Sequence, residues 1–427
     1  MFYDYITGHM GISPQVASFV EEVEKGLTKI YAKADEIADY NQLKILNAMQ
    51  ENRLSDTHFN DSTGYGYHDE GRLVLEEIFA KIFKAEAALV RPQLISGTHA
   101  LSAALFGNLR PNDVLLSPVG SPYDTLESVI GINPTSGSLM EYGIKYRQVD
   151  LLPNGTFDYE KIKLALADKP KMVTIQRSKG YSWRPSFTVE SIGQLIKCIQ
   201  QESSDTIIMV DNCYGEFVEP TEPIEASADI IAGSLIKNPG GGLAPGGGYV
   251  VGKQEYVEKA AERLTAPGLG SAVGPSLGMT RTLIQGLFLA PQTVSATIKG
   301  AALTAAVFSK LGYDVLPSPI ETRTDIVQAV KLGSPEKVQS FCRGIQKAAP
   351  VDSFVTPEPA PMPGYTHGVI MAGGTFIQGS SIELSADAPM REPYIVYFQG
   401  GLTASHSKSG VLFALDSMFK DNLLELP

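Results

Sequence analysis

The chain has 427 residues, 43% of them hydrophobic, and its formal net charge at pH 7 is −12. This length is enough for a sizeable core and predicts two or three domains. The acidic balance, without any block of lysine or arginine, argues against a nucleic-acid partner and against an anionic-membrane partner. The longest apolar runs are too short to cross a bilayer.

The cysteines, the histidines and the N-terminus argue against disulfide-rich, zinc-binding and secreted proteins. The three cysteines (Cys198, Cys213 and Cys342) are widely spaced and odd in number, so they predict neither a disulfide framework nor a zinc site. The six histidines include no HExxH motif. The N-terminus lacks a basic region followed by an apolar one, so no secretory signal is visible. We therefore expect a protein of the reducing cytoplasm.

The elements in chain order predict three parts. Over residues 1–57, apolar residues recur at helical spacing among charges, which indicates an N-terminal helical arm. Over 58–289, a loop reading "HFNDSTGYGYHDEGR" comes first, and short apolar runs then alternate with helical ones. Continuous apolar strands between helices are typical of a mostly parallel sheet covered on both faces. Over 290–427, a helical stretch, the proline-rich passage "TPEPAPMPG" and the runs "GVIMAG", "SSIELSA" and "YIVYFQGG" predict a smaller α+β domain.

Two residues at predicted strand ends suggest chemistry. Asp211 ends the run "TIIMVD", and a carboxylate there faces the crevice where open α/β sheets bind ligands. Lys237 follows a second apolar run that ends in Ser234. Taken singly, Asp211 could cap a turn and Lys237 could lie in solvent. As a pair they suit pyridoxal 5'-phosphate, which needs an acidic partner for its ring nitrogen and a lysine for a Schiff base.

A phosphate site and an aromatic residue fit the same interpretation. Gly97, Thr98 and His99 open a helix directly after a strand, where free N–H groups and the helix dipole favour an anion. Ser234 could add a hydroxyl. Tyr123 follows the strand "DVLLSP" and could stack on a cofactor ring or simply pack in its loop. No G-x-G-x-x-G or P-loop motif is present, so a dinucleotide or ATP site is disfavoured.

The order of these motifs resembles the fold-type I pyridoxal-phosphate enzymes of cysteine and methionine metabolism, which include cystathionine lyases and methionine gamma-lyase. The segments "STGYGYHDEGR", "LVRPQLISGTHA", "QRSKGYSWRPS", "SLIKNPGGGLAPGGGYVVG" and "REPYIVYFQGGLT" are most similar to the branch called aluminium-resistance or cystathionine beta-lyase-like proteins. The resemblance runs from about Asp56 to Leu415. It implies the aspartate aminotransferase-like α/β fold, with a large mostly parallel sheet domain and a smaller C-terminal domain.

The resemblance also assigns roles to the cofactor-binding residues. Lys237 matches the Schiff-base lysine, Asp211 the partner of the pyridine nitrogen, and Tyr123 the stacking aromatic residue. Gly97, Thr98 and Ser234 match phosphate ligands, with His99 a weaker match. Gln176, Arg177 and Ser178 compete for the cofactor's phenolic oxygen.

Further roles depend on a neighbouring subunit or on the substrate. In the family a tyrosine and an arginine of a neighbouring subunit reach the phosphate. Tyr65 or Tyr67 matches that tyrosine, whereas Arg72 is spaced differently from that arginine. This predicts a homodimer, or a homotetramer of two dimers, with shared sites. Arg391 is the candidate for the substrate carboxylate, with Arg177 as the alternative, since a guanidinium fork suits a carboxylate.

The predicted reaction is cleavage of a carbon–sulfur bond in an amino acid by beta or gamma elimination. An aminotransferase, an aldolase or a decarboxylase would use the same parts, because the cofactor carries the chemistry. A second alternative is a cofactor-binding protein without turnover that acts in metal tolerance, although no cluster of metal-ligand residues is evident.

Overall fold

A computed structural model describes residues 1–362, 365 and 367–427 of the chain. The helices are α1 (Phe2–His9), α2 (Pro14–Glu24), α3 (Thr28–Glu51), α4 (Glu70–Ile82), α5 (Gly97–Asn108), α6 (Asp124–Ile130), α7 (Tyr159–Leu166), α8 (Val189–Glu202), α9 (Gln254–Leu264), α10 (Thr280–Lys310), α11 (Pro335–Ala348) and α12 (Ala404–Lys420). The strands are β1 (Ala87–Arg91), β2 (Val114–Ser117), β3 (Lys145–Gln148), β4 (Met172–Gln176), β5 (Ile207–Asp211), β6 (Ile230–Ser234), β7 (Gly248–Gly252), β8 (Asp314–Leu316), β9 (Gln328–Lys331), β10 (Val369–Ala372), β11 (Ser385–Pro389) and β12 (Ile395–Gln399).

The large sheet has seven strands in the order β1-β7-β6-β5-β4-β2-β3, and β7 alone runs against the others. Strands β4 to β7 are buried at every residue. Alternate side chains of β5 enter different cores: Ile208 and Val210 join one, while Ile207 and Met209 join the other. A strand with both faces covered must be apolar throughout, which is why these segments lack a polar alternation. The prediction of a mostly parallel, doubly covered sheet is confirmed.

The small sheet has five antiparallel strands in the order β10-β11-β12-β9-β8. Helices α11 and α12 pack together and contribute to the core beside it. The predicted strand over 380–386 begins only at Ser385, and the residues before it form a connection. The last two residues of the proline-rich passage, 363 and 364, lie outside the described part of the chain.

The N-terminal arm divides between the two cores. Ile6, Val16 and Val20, from α1 and α2, belong to the core of the small domain. Ile45 and Ala48, from α3, belong to the core on one face of the large sheet. The arm is therefore helical as predicted, but it packs against both domains.

The predicted boundary between residues 289 and 290 falls inside α10, a helix of 31 residues that contains Pro291. The change in the pattern of predicted elements at this point therefore does not mark a linker. The α10 residues in the core at the large sheet are Leu283, Ile284, Leu287, Ala290, Val294 and Ile298. Leu303, Val307 and Phe308, nearer its C-terminus, contribute to the core of the small domain. One helix thus serves both domains.

A buried ion pair also joins the domains. Asp325, just before β9, lies 3.1 Å from the Nζ of Lys179, which follows β4, and the two side chains are 2% and 1% exposed. Asp325 also accepts a hydrogen bond from Ser178 at 2.6 Å and another from Ser186. The loop after β4 is thereby fixed to the small domain.

Among the described residues, none of the helices is both long enough and apolar enough to cross a membrane.

Candidate active site

A cavity of about 230 Å³ lies where the carboxyl ends of β4, β5 and β6 face the N-terminus of α5. This is the position at which open parallel sheets bind ligands. Eight of the residues considered for the site line it, namely Gly97, Thr98, Tyr123, Gln176, Ser178, Asp211, Ser234 and Lys237. A second cavity of about 240 Å³, between α3 and α10, is lined by none of them.

Lys237 enters the cavity three residues after β6 ends. Its Nζ lies 4.1 Å from the centre of the Tyr214 ring. Burial alone lowers the pKa of Lys237, whereas the neighbouring Cys213, Tyr214 and Asp211 raise it and outweigh burial. The side chain is therefore enclosed by these groups, and is not a solvated surface lysine.

Asp211 ends β5 beside Lys237. Its Oδ1 accepts a hydrogen bond from the backbone N–H of Cys213 at 3.1 Å. Burial is the main cause that raises the pKa of Asp211, and the positive charge of Lys237 opposes the rise. Because a buried carboxylate is costly unless it is paired, a protonated ring nitrogen is a chemically suitable partner for it.

The turn into α5 lies at the position predicted for an anion cradle. Ser96 caps the helix by accepting a hydrogen bond from the N–H of His99. A side chain on Gly97 would begin 3.2 Å from the Cβ of Ser234, so glycine allows β6 and the helix to approach closely. The first N–H groups of a helix have no acceptor within the helix, which leaves them for a ligand.

Thr98 and His99 differ in their placement. The hydroxyl of Thr98 lies in the cavity, 2.8 Å from that of Thr125. The Nδ1 of His99 instead accepts a hydrogen bond from the backbone N–H of Ile95 at 3.3 Å, outside the lining. His99 therefore closes the turn, and the structure does not bring its ring to the cradle.

Tyr123 forms one wall of the cavity. A side chain on Gly180 would begin 3.0 Å from the Tyr123 ring, so the glycine makes room for it. The hydroxyl of Tyr123 lies 2.8 Å from the hydroxyl of Tyr365.

Two of the three candidates for the cofactor's phenolic oxygen line the cavity. The hydroxyl of Ser178 already donates to Asp325. The amide nitrogen of Gln176 donates to the backbone carbonyl of Ser178 at 2.9 Å and retains a second hydrogen. Gln176 is therefore the candidate with a donor still available.

Arg177, the third candidate, points away from the cavity. Its guanidinium is fully buried and pairs with Glu219 at 2.9 Å and with Glu222 at 3.4 Å. The guanidinium is already paired with two carboxylates. Moving it towards a ligand would leave those carboxylates unpaired inside the protein. This corrects the expectation that Arg177 serves the cofactor or a substrate carboxylate.

The glycine-tyrosine loop lies outside the cavity of its own chain. Tyr65 and Tyr67 are 71% and 58% exposed, and their ring centres are 5.6 Å apart. Arg72 is buried and donates to the carbonyls of Gly66 at 2.7 Å and Gly274 at 2.6 Å. Arg72 therefore holds the shape of this loop, and these carbonyls occupy its guanidinium.

Arg391 is exposed and lies outside the lining. One of its guanidinium nitrogens lies 3.4 Å from the backbone carbonyl of Tyr181. It also faces Asp124, the residue after Tyr123: burial raises the pKa of Asp124, and Arg391 opposes the rise. Arg391 is thus near the tyrosines of the cavity wall but on their outer side.

Several residues at the site were not predicted. Tyr214 lies under Lys237 because its backbone has φ 71°, a left-handed conformation that is rare for an aromatic residue. Tyr365 and Asp387 come from the small domain, and Tyr181 comes from the loop after β4. Burial raises the pKa of Asp387 to about 7. Tyr214 could have been found from its place three residues after Asp211, whereas no local signal marks the other three.

The arrangement fits pyridoxal phosphate. The cavity combines a buried carboxylate, an enclosed lysine, a helix N-terminus with adjacent hydroxyls and an aromatic wall. Among the described residues, no cluster of three or more histidine, cysteine, aspartate or glutamate side chains is arranged to hold a metal ion.

Comparisons with known proteins agree with this description. The family model for methionine gamma-lyase matches residues 16–419. The uncharacterized protein YnbB of Bacillus subtilis is 50% identical over 405 residues, which cover 94% of this chain and 96% of that protein.

Solved structures show the same fold. A carbon-sulfur lyase involved in aluminum resistance from Clostridium novyi is 47% identical, with a TM-score of 0.92 and coverage of 97% of this chain and 98% of that one. The pyridoxal-5'-phosphate-dependent protein YhfS from Escherichia coli is 16% identical, with a TM-score of 0.60 and coverage of 90% and 96%. The predicted fold is confirmed.

The cradle gives a prediction for Ser234. In Ser234→Ala, the affinity of the cofactor-free protein for pyridoxal phosphate should fall about tenfold, since a hydrogen bond to a charged group is lost. The affinity for pyridoxal, which has no phosphate, should not change. Absorbance titration measures both. An equal loss for both ligands would place Ser234 away from the phosphate.

Proposed function

Because the chain belongs to the methionine gamma-lyase family, we propose that it cleaves the carbon–sulfur bond of a sulfur-containing amino acid by beta or gamma elimination. The family implies pyridoxal phosphate as the cofactor. The observation that carries the proposal is the placement of Lys237 beside Asp211 in one cavity, facing the α5 turn.

Pyridoxal phosphate, when bound, takes up the electrons of a carbanion at the substrate's alpha carbon. Lys237 would hold the cofactor, and its amine would then act as the base for the alpha proton, a role that depends on close placement. Asp211 would keep the ring nitrogen protonated. Gly97, Thr98 and Ser234 would hold the phosphate, while Tyr123 would lie against the ring.

Aminotransferase and aldolase chemistry remain alternatives within the same site. Elimination differs from transamination in its products, because it releases a thiol and a 2-oxo acid without an acceptor 2-oxo acid. A role in metal tolerance without turnover would give neither product.

A substrate screen tests the proposed function. Purified protein with pyridoxal phosphate should release thiol and 2-oxo acid from at least one sulfur amino acid. Lys237→Ala should lose about 10³-fold in rate, in line with the loss of a general base. Lys253→Ala, which removes a lysine half-exposed in an ion pair with Asp229, should not lose activity.

A chemical label tests the same assignment without turnover. Borohydride should attach one cofactor covalently to Lys237. Attachment to another lysine would refute the assignment of Lys237. Product formation only with an added 2-oxo acid would refute elimination.

We propose that the site is shared between subunits of a homodimer or homotetramer. Tyr65 and Tyr67 are exposed and lie outside the cavity of their own chain, which supports this proposal. A neighbouring chain would bring one of them to the phosphate.

Subunit mixing tests this sharing. Lys237→Ala and the double variant Tyr65→Phe/Tyr67→Phe should each be impaired. Random mixing should restore up to about one quarter of wild-type activity, because half of the dimers are hybrids and each has one intact site. Differently tagged subunits would show that hybrid dimers have formed. If activity did not recover although hybrids were present, the tyrosines would serve the site of their own chain.

We also propose that Arg391 orients the substrate carboxylate from the mouth of the cavity. Its contact with Tyr181 and its place near Asp124 support this proposal. Arg391→Lys should keep the fold and the cofactor but lower kcat/KM about 10- to 100-fold, because lysine lacks the planar fork. Arg343→Lys, at a small-domain arginine paired with Glu358, is the matched control. Unchanged kinetics in Arg391→Lys would assign the carboxylate to another group.

A further inference from the structure

The second cavity lies between α3, α10 and the connection from β8 to β9, and it shares no lining residue with the candidate active site. Its volume of about 240 Å³ is somewhat below the roughly 300–1,000 Å³ of sites for drug-sized ligands. Its buried walls are apolar and come from separate parts of the chain, namely Ala38, Phe217, Val218, Val294 and Ile298. The cavity therefore suits a small molecule with an apolar body.

One buried cation, Arg323, also lines this cavity. The residue is 7% exposed, and its Nη2 donates to the Oε1 of Gln328 at 2.7 Å. Its Nε and Nη1 are buried without a hydrogen-bond acceptor among the described residues. Arg72, Arg177 and Arg343 each leave only Nε in this state. Within the described part of the chain, Arg323 is thus the one arginine with a buried terminal nitrogen that has no partner.

The unused N–H groups of Arg323 indicate a missing acceptor. A buried polar group without a hydrogen bond is unfavourable, and a guanidinium can only donate. Neither neighbouring carboxylate forms an ion pair with Arg323: Asp325 pairs with Lys179, and Glu321 accepts a hydrogen bond from the backbone N–H of Ser318. Burial lowers the pKa of Arg323 to about 10, and these two carboxylates oppose the fall, so the group is a cation at neutral pH.

The charges around the cavity favour an anion with an apolar part. Lys29, Lys33 and Arg323 line it, against one carboxylate, that of Glu321. Lys29 and Lys33 are exposed and mark the open side, and Lys33 also pairs with Glu36 at 2.8 Å. A guanidinium suits a carboxylate, and the apolar walls suit an alkyl chain. Inorganic phosphate would use the cation but not the walls.

We propose that this cavity binds a small alkyl monocarboxylate, with the carboxylate at Arg323 and the alkyl chain against the walls from α3 and α10. The inference does not depend on the proposed carbon–sulfur cleavage, because the two cavities have separate linings. The ligand would contact the N-terminal arm, the large domain and the connection to β9 at once. Because it binds only the folded chain, it should also raise the melting temperature.

Titration calorimetry with hexanoate tests the inference on the full chain with pyridoxal phosphate present. Wild-type protein should bind hexanoate with a Kd at or below about 1 mM. Hexan-1-ol and inorganic phosphate should each bind at least about tenfold more weakly, because the first lacks the charge and the second lacks the alkyl chain. No binding of hexanoate, or binding of either comparison ligand with equal affinity, would overturn the proposal.

Two variants test the location of the site. Arg323→Met keeps a long stem without the guanidinium and should weaken hexanoate binding at least about tenfold. Ala34→Leu, on the α3 wall, fills the cavity and should weaken binding to a similar extent while Arg323 stays in place.

Arg343→Met removes an arginine that pairs with Glu358 outside the cavity and is the matched control, so it should bind hexanoate as the wild type does. Melting temperatures without hexanoate show which variants fold. If Arg323→Met does not fold, Ala34→Leu decides. Unchanged binding in a folded Arg323→Met or Ala34→Leu, or an equal loss in Arg343→Met, would refute the site.

Discussion

The walls of the cavity depend on one buried carboxylate, Asp325. Two serine hydroxyls, the ammonium of Lys179 and the backbone N–H of Val327 all donate to it. Burial alone would raise the pKa of Asp325, but Lys179 and the serines outweigh burial and lower it, so the carboxylate stays ionised. Breaking such a pair by removing one partner costs about 3–5 kcal/mol. The loop between Ser178 and Ser186 has no strand or helix of its own, so these bonds hold it in place.

These hydrogen bonds also determine where the residues of the cavity wall lie. Gly180 lies within the fixed loop and sets the position of the Tyr123 ring, and Tyr181 stands next to it between Tyr123 and the small domain. Tyr181 and Arg391 then meet at the outer side of the same wall. One side of the cavity is therefore built from both domains, whereas the side with Asp211, Ser234 and Lys237 is built from the large sheet alone.

This division explains what could be predicted from the sequence. Asp211, Ser234, Lys237 and the turn at Gly97 follow apolar runs, and parallel strands bring their carboxyl ends to one edge, so local patterns suffice to place them together. Arg177 looked equally suitable by position. Its two carboxylate partners lie more than forty residues away in sequence, and only the fold shows that its charge is already used. Tyr365 and Asp387 come from another domain, and no spacing rule connects them to Lys237.

The long helix α10 adds a mechanical consequence. Pro291 lacks a backbone N–H, so it removes one hydrogen bond of the helix within the part that packs on the large sheet, which continues to Val294 and Ile298. The segment from Pro291 to Lys310 then acts as a lever of about 28 Å at a rise of about 1.5 Å per residue. A bend of about 5° at this proline moves the far end by about 2–3 Å, comparable to the length of one hydrogen bond. A small bend at this proline would therefore be amplified most at the small-domain end of the helix.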